Sequence, residues 1–151
     1  AREYGVDPFL FDALIKKESE YHPFAVSSAN ALGLTQVTPV AWDQIGGSPE
    51  NFSRLFDEDI SLQAGAQYLK WVENTLIKMG LMTRNDPKRI QKILAGYNAG
   101  VGSLKEEGLA AVLSPKRKAR GTVGQTYKYV RDIMRNMASN KKNSVAGRQQ
   151  L

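Results

Sequence analysis

Apolar residues recur along most of this chain at steps of three and four, the spacing of a single helix face. In VDPFLFDALIKKES, Phe11, Leu14 and Ile15 lie on such a face, and the next position on it is Glu18. Asp12, Lys16, Ser19 and Glu20 form the opposite, solvated stripe. Asp7 followed by Pro8 offers an N-cap and a proline at the first helical position, which predicts a helix from there to about Tyr21. Thr38-Pro39 repeats the device for a short helix closed by Gly46-Gly47. Asp59 opens what reads as the longest helix, with Leu62, Ala66, Leu69, Val72, Leu76 and Met79 on one face and Gly80 as its stop. Asp86-Pro87 starts another, through Ile90, Ile93 and Leu94. Thr122 and Gln125 have the spacing of a capping box before a last helix whose Tyr127, Val130, Ile133, Met134 and Met137 face the core.

Alternating strand patterns are nearly absent, and no internal repeat or linker interrupts the helical pattern. The expectation is one all-α domain over residues 1–138, followed by a polar, aperiodic tail over 139–151 that frays. Two stretches fit the helical reading poorly. Ala25 to Pro39 is small and polar yet holds Leu32, Leu34 and Val37, which suggests a loop packed against the domain and lining something. Ala95 to Leu104 places three glycines around Tyr97 and Asn98 just past a predicted helix end, where a backbone can turn with φ > 0 or approach a ligand closely.

A chain of 151 residues is long enough for one core, and 42% hydrophobic with 24% charged residues describes an ordinary globular protein. No apolar run approaches the roughly 20 residues that span a bilayer. The chain opens at Ala1 with no signal peptide, so it reads as a mature form or an excised domain whose targeting segment is not present. With no cysteine, disulfides, thiolate chemistry and Cys-based zinc sites are excluded. A formal net charge of +6 favours anionic partners. The charge is concentrated in SPKRKARG, Ser114 to Gly121, and in Lys141, Lys142 and Arg148; a solvated surface and an anion-binding patch both fit.

Glu18 raises the main chemical question. A carboxyl on an apolar face is costly to ionise, so its pKa is expected to rise toward that of a general acid working near neutrality. The same residue stands in the last helical turn, where water can reach it, and a solvated glutamate fits the pattern too. Asp43, Glu50, Asp57, Glu58 and Asp59 are the other acids to weigh, and capping explains the last three. No second catalytic carboxylate is evident, against a conventional two-carboxylate glycosidase. His22, the only histidine, reads as a loop residue; no metal site and no cofactor are expected. Gly100 and Gly102 are too sparse for a phosphate loop, and a nucleic-acid partner would rest on charge alone.

Taken in order, ALIKKESEYHPFAVSSANALGLTQVTP, DISLQAGAQYL, ILAGYNAGVGSL and TYKYV make the chain resemble the catalytic domain of the soluble lytic transglycosylases, which is related to goose-type lysozyme. The resemblance runs from about Tyr4 to Met137. It implies a lysozyme-like all-α fold with a substrate groove. Matched motif by motif, it implies that Glu18 of Glu18-Ser19 is the catalytic acid and that Ser27 lies near the acid and the substrate. Gln36 of Gly33-Leu34-Thr35-Gln36 would be a sugar contact. Tyr97 and Asn98 would line the groove wall, and Tyr129 would sit close to the acid. Thr35 stands where the family usually has Met, Gly96 where it has Ala, and Gln125 where many members have Glu.

Such enzymes cleave the β-1,4 bond between N-acetylmuramic acid and N-acetylglucosamine in peptidoglycan. One carboxyl acts as acid and then as base, and the muramoyl C6 hydroxyl closes a 1,6-anhydro ring. The resemblance implies a monomeric domain acting on glycan strands in the periplasm, at the cell wall or on a phage virion, alone or within a larger wall-crossing assembly. Three rivals remain: a goose-type lysozyme with water as acceptor, a non-catalytic wall-binding or structural module, and a basic nucleic-acid-binding domain.

Overall fold

In the computed structural model, which describes residues 1–119 and 121–148, the first two predicted helices begin where their capping residues place them. Helix α1 spans Pro8–Ser19, and the Asp7 carboxylate accepts from the N–H groups of Phe9 at 2.8 Å and Leu10 at 3.3 Å. It stops two residues earlier than expected, because Glu20 and Tyr21 take left-handed φ of 51° and 65°. Its buried face holds Leu10, Phe11, Leu14 and Ile15. Ser19 is buried as well, against its assignment to the solvated stripe. It lies one turn after Ile15 and its Oγ donates to the Ile15 carbonyl at 3.2 Å, so a small, satisfied hydroxyl is buried at little cost.

Helix α2, Pro39–Gln44, is capped by Thr38 Oγ1, which accepts from the Ala41 N–H. A 3₁₀ helix follows at Pro49–Phe56, where the Trp42 indole N–H bridges the Ser48 carbonyl and Asn51 Oδ1. Helix α3 spans Glu58–Lys78, and Asp57, not Asp59, caps it by accepting from the Ile60 N–H. Val72 and Leu76 are fully buried on the predicted face, while Met79, past the helix end, is exposed. Helices α4 (Arg89–Ala99), α5 (Val101–Glu107) and α6 (Leu109–Val112) pack on one another. Two-residue strands β1 (Lys118–Ala119) and β2 (Thr122–Val123) pair antiparallel, and helix α7 runs Gln125–Arg148. The all-α expectation holds, with α7 rather than α3 the longest helix.

Three expectations near α7 are corrected. Thr122 lies in β2 instead of capping the helix, whose first turn is bonded from the Lys128 N–H to the Gly124 carbonyl. Tyr127 is exposed, with the Arg131 guanidinium 5.7 Å from its ring centroid, so that contact replaces core burial. The polar stretch from Ser139 is helical through Arg148 instead of frayed. Its Asn140 donates to Asp12 at 2.8 Å and its Lys141 pairs with Asp7 at 3.2 Å, contacts that offset its weak apolar pattern. The end of the predicted tail, 149–151, and Arg120 of the basic loop lie outside the described residues.

The chain divides into two compact units, Ala1–Tyr68 with the segment from Ile133 onward, and Leu69–Asp132. Both boundaries fall inside helices, α3 and α7, which is why no linker is legible between them. The first unit is built around Leu14, Val37 and Leu55, the second around Val72, Leu76, Leu94 and Val112, all essentially inaccessible. No helix among the described residues is long and apolar enough to cross a membrane.

The second unit contains a buried charge cluster that the periodicity does not disclose. Glu73 is 6% exposed; its Oε2 accepts from Lys70 Nζ at 3.0 Å and its Oε1 from Arg89 Nε at 2.8 Å. Burial raises the carboxyl's pKa, but the bonds to Arg89 and Lys70 outweigh it and leave the pKa below the ordinary 4.5. A carboxylate depressed by folding contributes stability above its unfolded pKa, and loses it as pH falls through the folded value. Glu73→Gln is therefore expected to cost about 1–2 kcal/mol at neutral pH, the half-exposed cations limiting the loss, and progressively less as pH falls below the ordinary 4.5. Urea midpoints of the two proteins along a descending pH series check this; a difference that does not shrink excludes the ionic role.

Candidate active site

Glu18 lies on the last turn of α1, half-buried, on the same face as Leu14 and Ile15. The first unit has two described carboxylates that are not fully exposed, Asp7 and Glu18, and Asp7 caps α1 and pairs with Lys141. Asp43, Glu50, Asp57, Glu58 and Asp59, the other acids weighed from the sequence, are all exposed. In the second unit the carboxylate of Glu73 is held by Lys70 and Arg89, and that of Asp86 by Lys92.

The helix that carries Glu18 runs directly into the loop that carries Ser27 and Gln36. Backbone hydrogen bonds step from the Ser19 carbonyl to the His22 N–H, from the His22 carbonyl to the Ala25 N–H, and from the Ala25 carbonyl to the Gly33 N–H. Isolated antiparallel bridges join Val26 to Leu32 and Leu32 to Val37, and Leu32, Leu34 and Val37 are buried, so the loop is packed as its composition suggests. His22 is exposed on it, as a loop residue. Among the described residues, non-glycine positive φ is confined to Glu20, Tyr21, Asn30 and Gln36. Such conformations each cost about 1–3 kcal/mol and persist where the surroundings over-determine them, which happens most often at functional sites.

Ser27 shapes the loop by accepting at Oγ from the N–H groups of Ala29 and Ala31. Gln36 sits at φ 50°, and its Nε2 donates to the carbonyls of Ala25 at 3.0 Å and Gly33 at 2.9 Å. Both amide protons are thereby used, so what Gln36 can offer a ligand is Oε1, an acceptor for a hydroxyl or an amide N–H. Thr35 is fully buried, its hydroxyl donating to the Ser61 carbonyl at 2.7 Å. Gly65 makes room for it: a Cβ there would stand 2.4 Å from Thr35 Cγ2. The Thr-for-Met departure is thus accommodated within the packed core beneath the loop.

In the second unit, Gly96, Tyr97 and Asn98 form part of the last turns of α4, not a turn beyond its end as the glycine content suggests. Gly96 is required by packing, because a Cβ would lie 2.7 Å from Val72 Cγ1. Of the three glycines only Gly100, at φ 85°, makes the predicted sharp turn. Asn98 Oδ1 accepts from Thr126 Oγ1 at 2.9 Å, which joins α4 to the first turn of α7. Thr126 gives little signal in the sequence, where its only trace is a threonine one residue into the final helix. Tyr97 and Tyr129 are both buried, at 8% and 5% exposure. No group of three or more His, Asp or Glu side chains is gathered as a metal ion would need among the described residues.

Comparison of the sequence with known families places the chain in one class. Residues 1–118 match the transglycosylase SLT domain, and the chain belongs to that family. It is 35% identical over 130 residues to a membrane-bound lytic murein transglycosylase C of Yersinia pestis (strain Pestoides F), an alignment covering 82% of this chain and 34% of the relative. The protein of the same name from Yersinia pseudotuberculosis serotype O:1b (strain IP 31758) matches to the same extent. The chain therefore spans about a third of the length of these curated relatives.

Proposed function

We propose that this domain acts outside the cytoplasm as a lytic transglycosylase, cleaving the β-1,4 bond between N-acetylmuramic acid and N-acetylglucosamine of peptidoglycan. The observation that carries the reading is the placement of Glu18-Ser19 on the last turn of α1, with Glu18 half-buried, leading directly into a strained loop that fixes Gln36. Glu18 donates its proton to the leaving glycosidic oxygen, while the substrate's own N-acetyl group stabilises the positive charge that develops at C1. The resulting carboxylate then takes the proton of the C6 hydroxyl as that oxygen bonds to C1 and closes the anhydro ring. An intramolecular hydroxyl has an effective concentration far above that of a loosely held water, which favours ring closure over hydrolysis. Gln36 Oε1 accepts from a sugar hydroxyl or acetamido N–H. Ser27 holds the loop that follows the acid, and the family motifs keep Tyr97, Asn98 and Tyr129 as candidate substrate contacts.

Purified peptidoglycan digested by the protein should release muropeptides lighter by one water than hydrolysis products and lacking a reducing end. Mass spectrometry of the digest decides between the acceptors. Predominantly reducing, water-added ends would make the domain a hydrolase of the goose-lysozyme kind.

A further inference from the structure

Phe24 is 75% exposed, the most exposed large hydrophobic side chain among the described residues. It does not stand alone, since the Phe56 ring lies 6.0 Å away, centroid to centroid, tilted by 40°. The backing is firm on both sides. Phe56 follows Leu55, a fully buried residue whose carbonyl approaches Gly33 so closely that a Cβ at Gly33 would be 2.0 Å from it. Phe24 precedes Ala25, whose carbonyl accepts from both the Gly33 N–H and Gln36 Nε2. An aromatic ring held open to solvent by this bonding, one residue from the anchor of Gln36, has no part in the core.

We propose that Phe24, supported by Phe56, is a stacking platform for a further saccharide of the glycan strand, outside the pair of sugars that react. The inference rests on the proposed function of the same site and adds to it a preference for longer strands. A β-linked pyranose has a face of axial C–H groups, and such a face stacks on an aromatic π surface while its equatorial hydroxyls stay in water. The platform suits that ligand better than a buried apolar one, because the Phe24 side chain remains largely open to solvent with Phe56 tilted beside it. Continuity with Gln36 sets the occupant: Phe24 adjoins Ala25, whose carbonyl accepts from the Gln36 amide, so a glycan strand held at Gln36 is the ligand nearest to the exposed ring.

The test uses binding in the Glu18→Gln protein, which separates it from turnover. Chitohexaose and chitobiose serve as probes, titrated calorimetrically against Glu18→Gln and against Glu18→Gln with Phe24→Ala. Removing Phe24 should weaken chitohexaose about tenfold and chitobiose by less than about twofold, and Phe24→Trp in place of Ala should restore the hexaose affinity. Loss of equal size for both probes, no loss for either, or no binding of chitohexaose by the parent would overturn the platform. A protein that binds in this length-dependent way yet releases no anhydro products keeps the platform and loses the proposed reaction.

Discussion

Glu18→Gln should abolish turnover of peptidoglycan, a loss of at least about 10³-fold, with the melting temperature and glycan affinity close to those of the parent. The amide has the volume of the carboxyl and fits the same half-buried position on the last turn of α1. It has no proton to give to a leaving oxygen, and positioned acid–base groups contribute about 10²–10⁴-fold each. In the proposed reaction one group serves in both steps, so the loss belongs at the upper end of that range. Glu18→Asp separates chemistry from position. It keeps the acid but withdraws it by one methylene, and a displacement of about 1 Å can itself cost about 10²-fold. Glu18→Asp should therefore retain measurable anhydro product where Glu18→Gln has none. Activity of Glu18→Gln within tenfold of the parent, measured by release of soluble muropeptides, would remove Glu18 from the mechanism.

The local signals in this sequence are more legible than the tertiary ones. Asp7, Thr38 and Pro39 announce helix starts because a cap acts over three residues and needs nothing distant. Ser19 is misplaced by periodicity, which assigns a polar side chain to solvent, whereas a hydroxyl can be satisfied by the carbonyl one turn earlier and stay buried. Gly96 suggests a turn through its poor helix propensity, yet the close approach of Val72 makes glycine the residue the helix needs there. The polar face of α7 carries no apolar signal, and its anchors, Asp7 and Asp12, lie more than a hundred residues away in sequence. The motif residues are recognisable by resemblance, but not how they are held. That Gln36 spends both amide protons on Ala25 and Gly33 depends on a left-handed backbone that no pattern reveals. It also means that Gln36 supports the loop, where the motif alone suggests only a sugar contact.

The strongest structural prediction follows from the same loop. Gly33 is at φ 76°, where an L side chain is strained, and a Cβ would stand 2.0 Å from the Leu55 carbonyl oxygen and 2.7 Å from Ser61 Oγ. Neither neighbour can yield cheaply. The Leu55 carbonyl is backbone, attached to a residue with no exposure, and Ser61 Oγ accepts from the Thr35 N–H. Gly33→Ala combines two penalties, conformational strain and overpacking against rigid atoms, and should destabilise by about 3 kcal/mol or more. For a domain of this size that lowers the melting temperature by about 10 °C. Gly102→Ala is the matching control, since Gly102 lies in α5, has no positive φ, and would present a Cβ to open space with nothing within 4 Å. It should be neutral or stabilising by up to about 1 kcal/mol, because alanine is the better helix former. Thermal unfolding of both variants gives the answer. Gly33→Ala should also lose activity below its melting temperature, because the Gly33 carbonyl is one of the two that hold Gln36. A Gly33→Ala protein as stable as Gly102→Ala would mean that the loop is not clamped against Leu55, and the account of how Gln36 is held would fail with it.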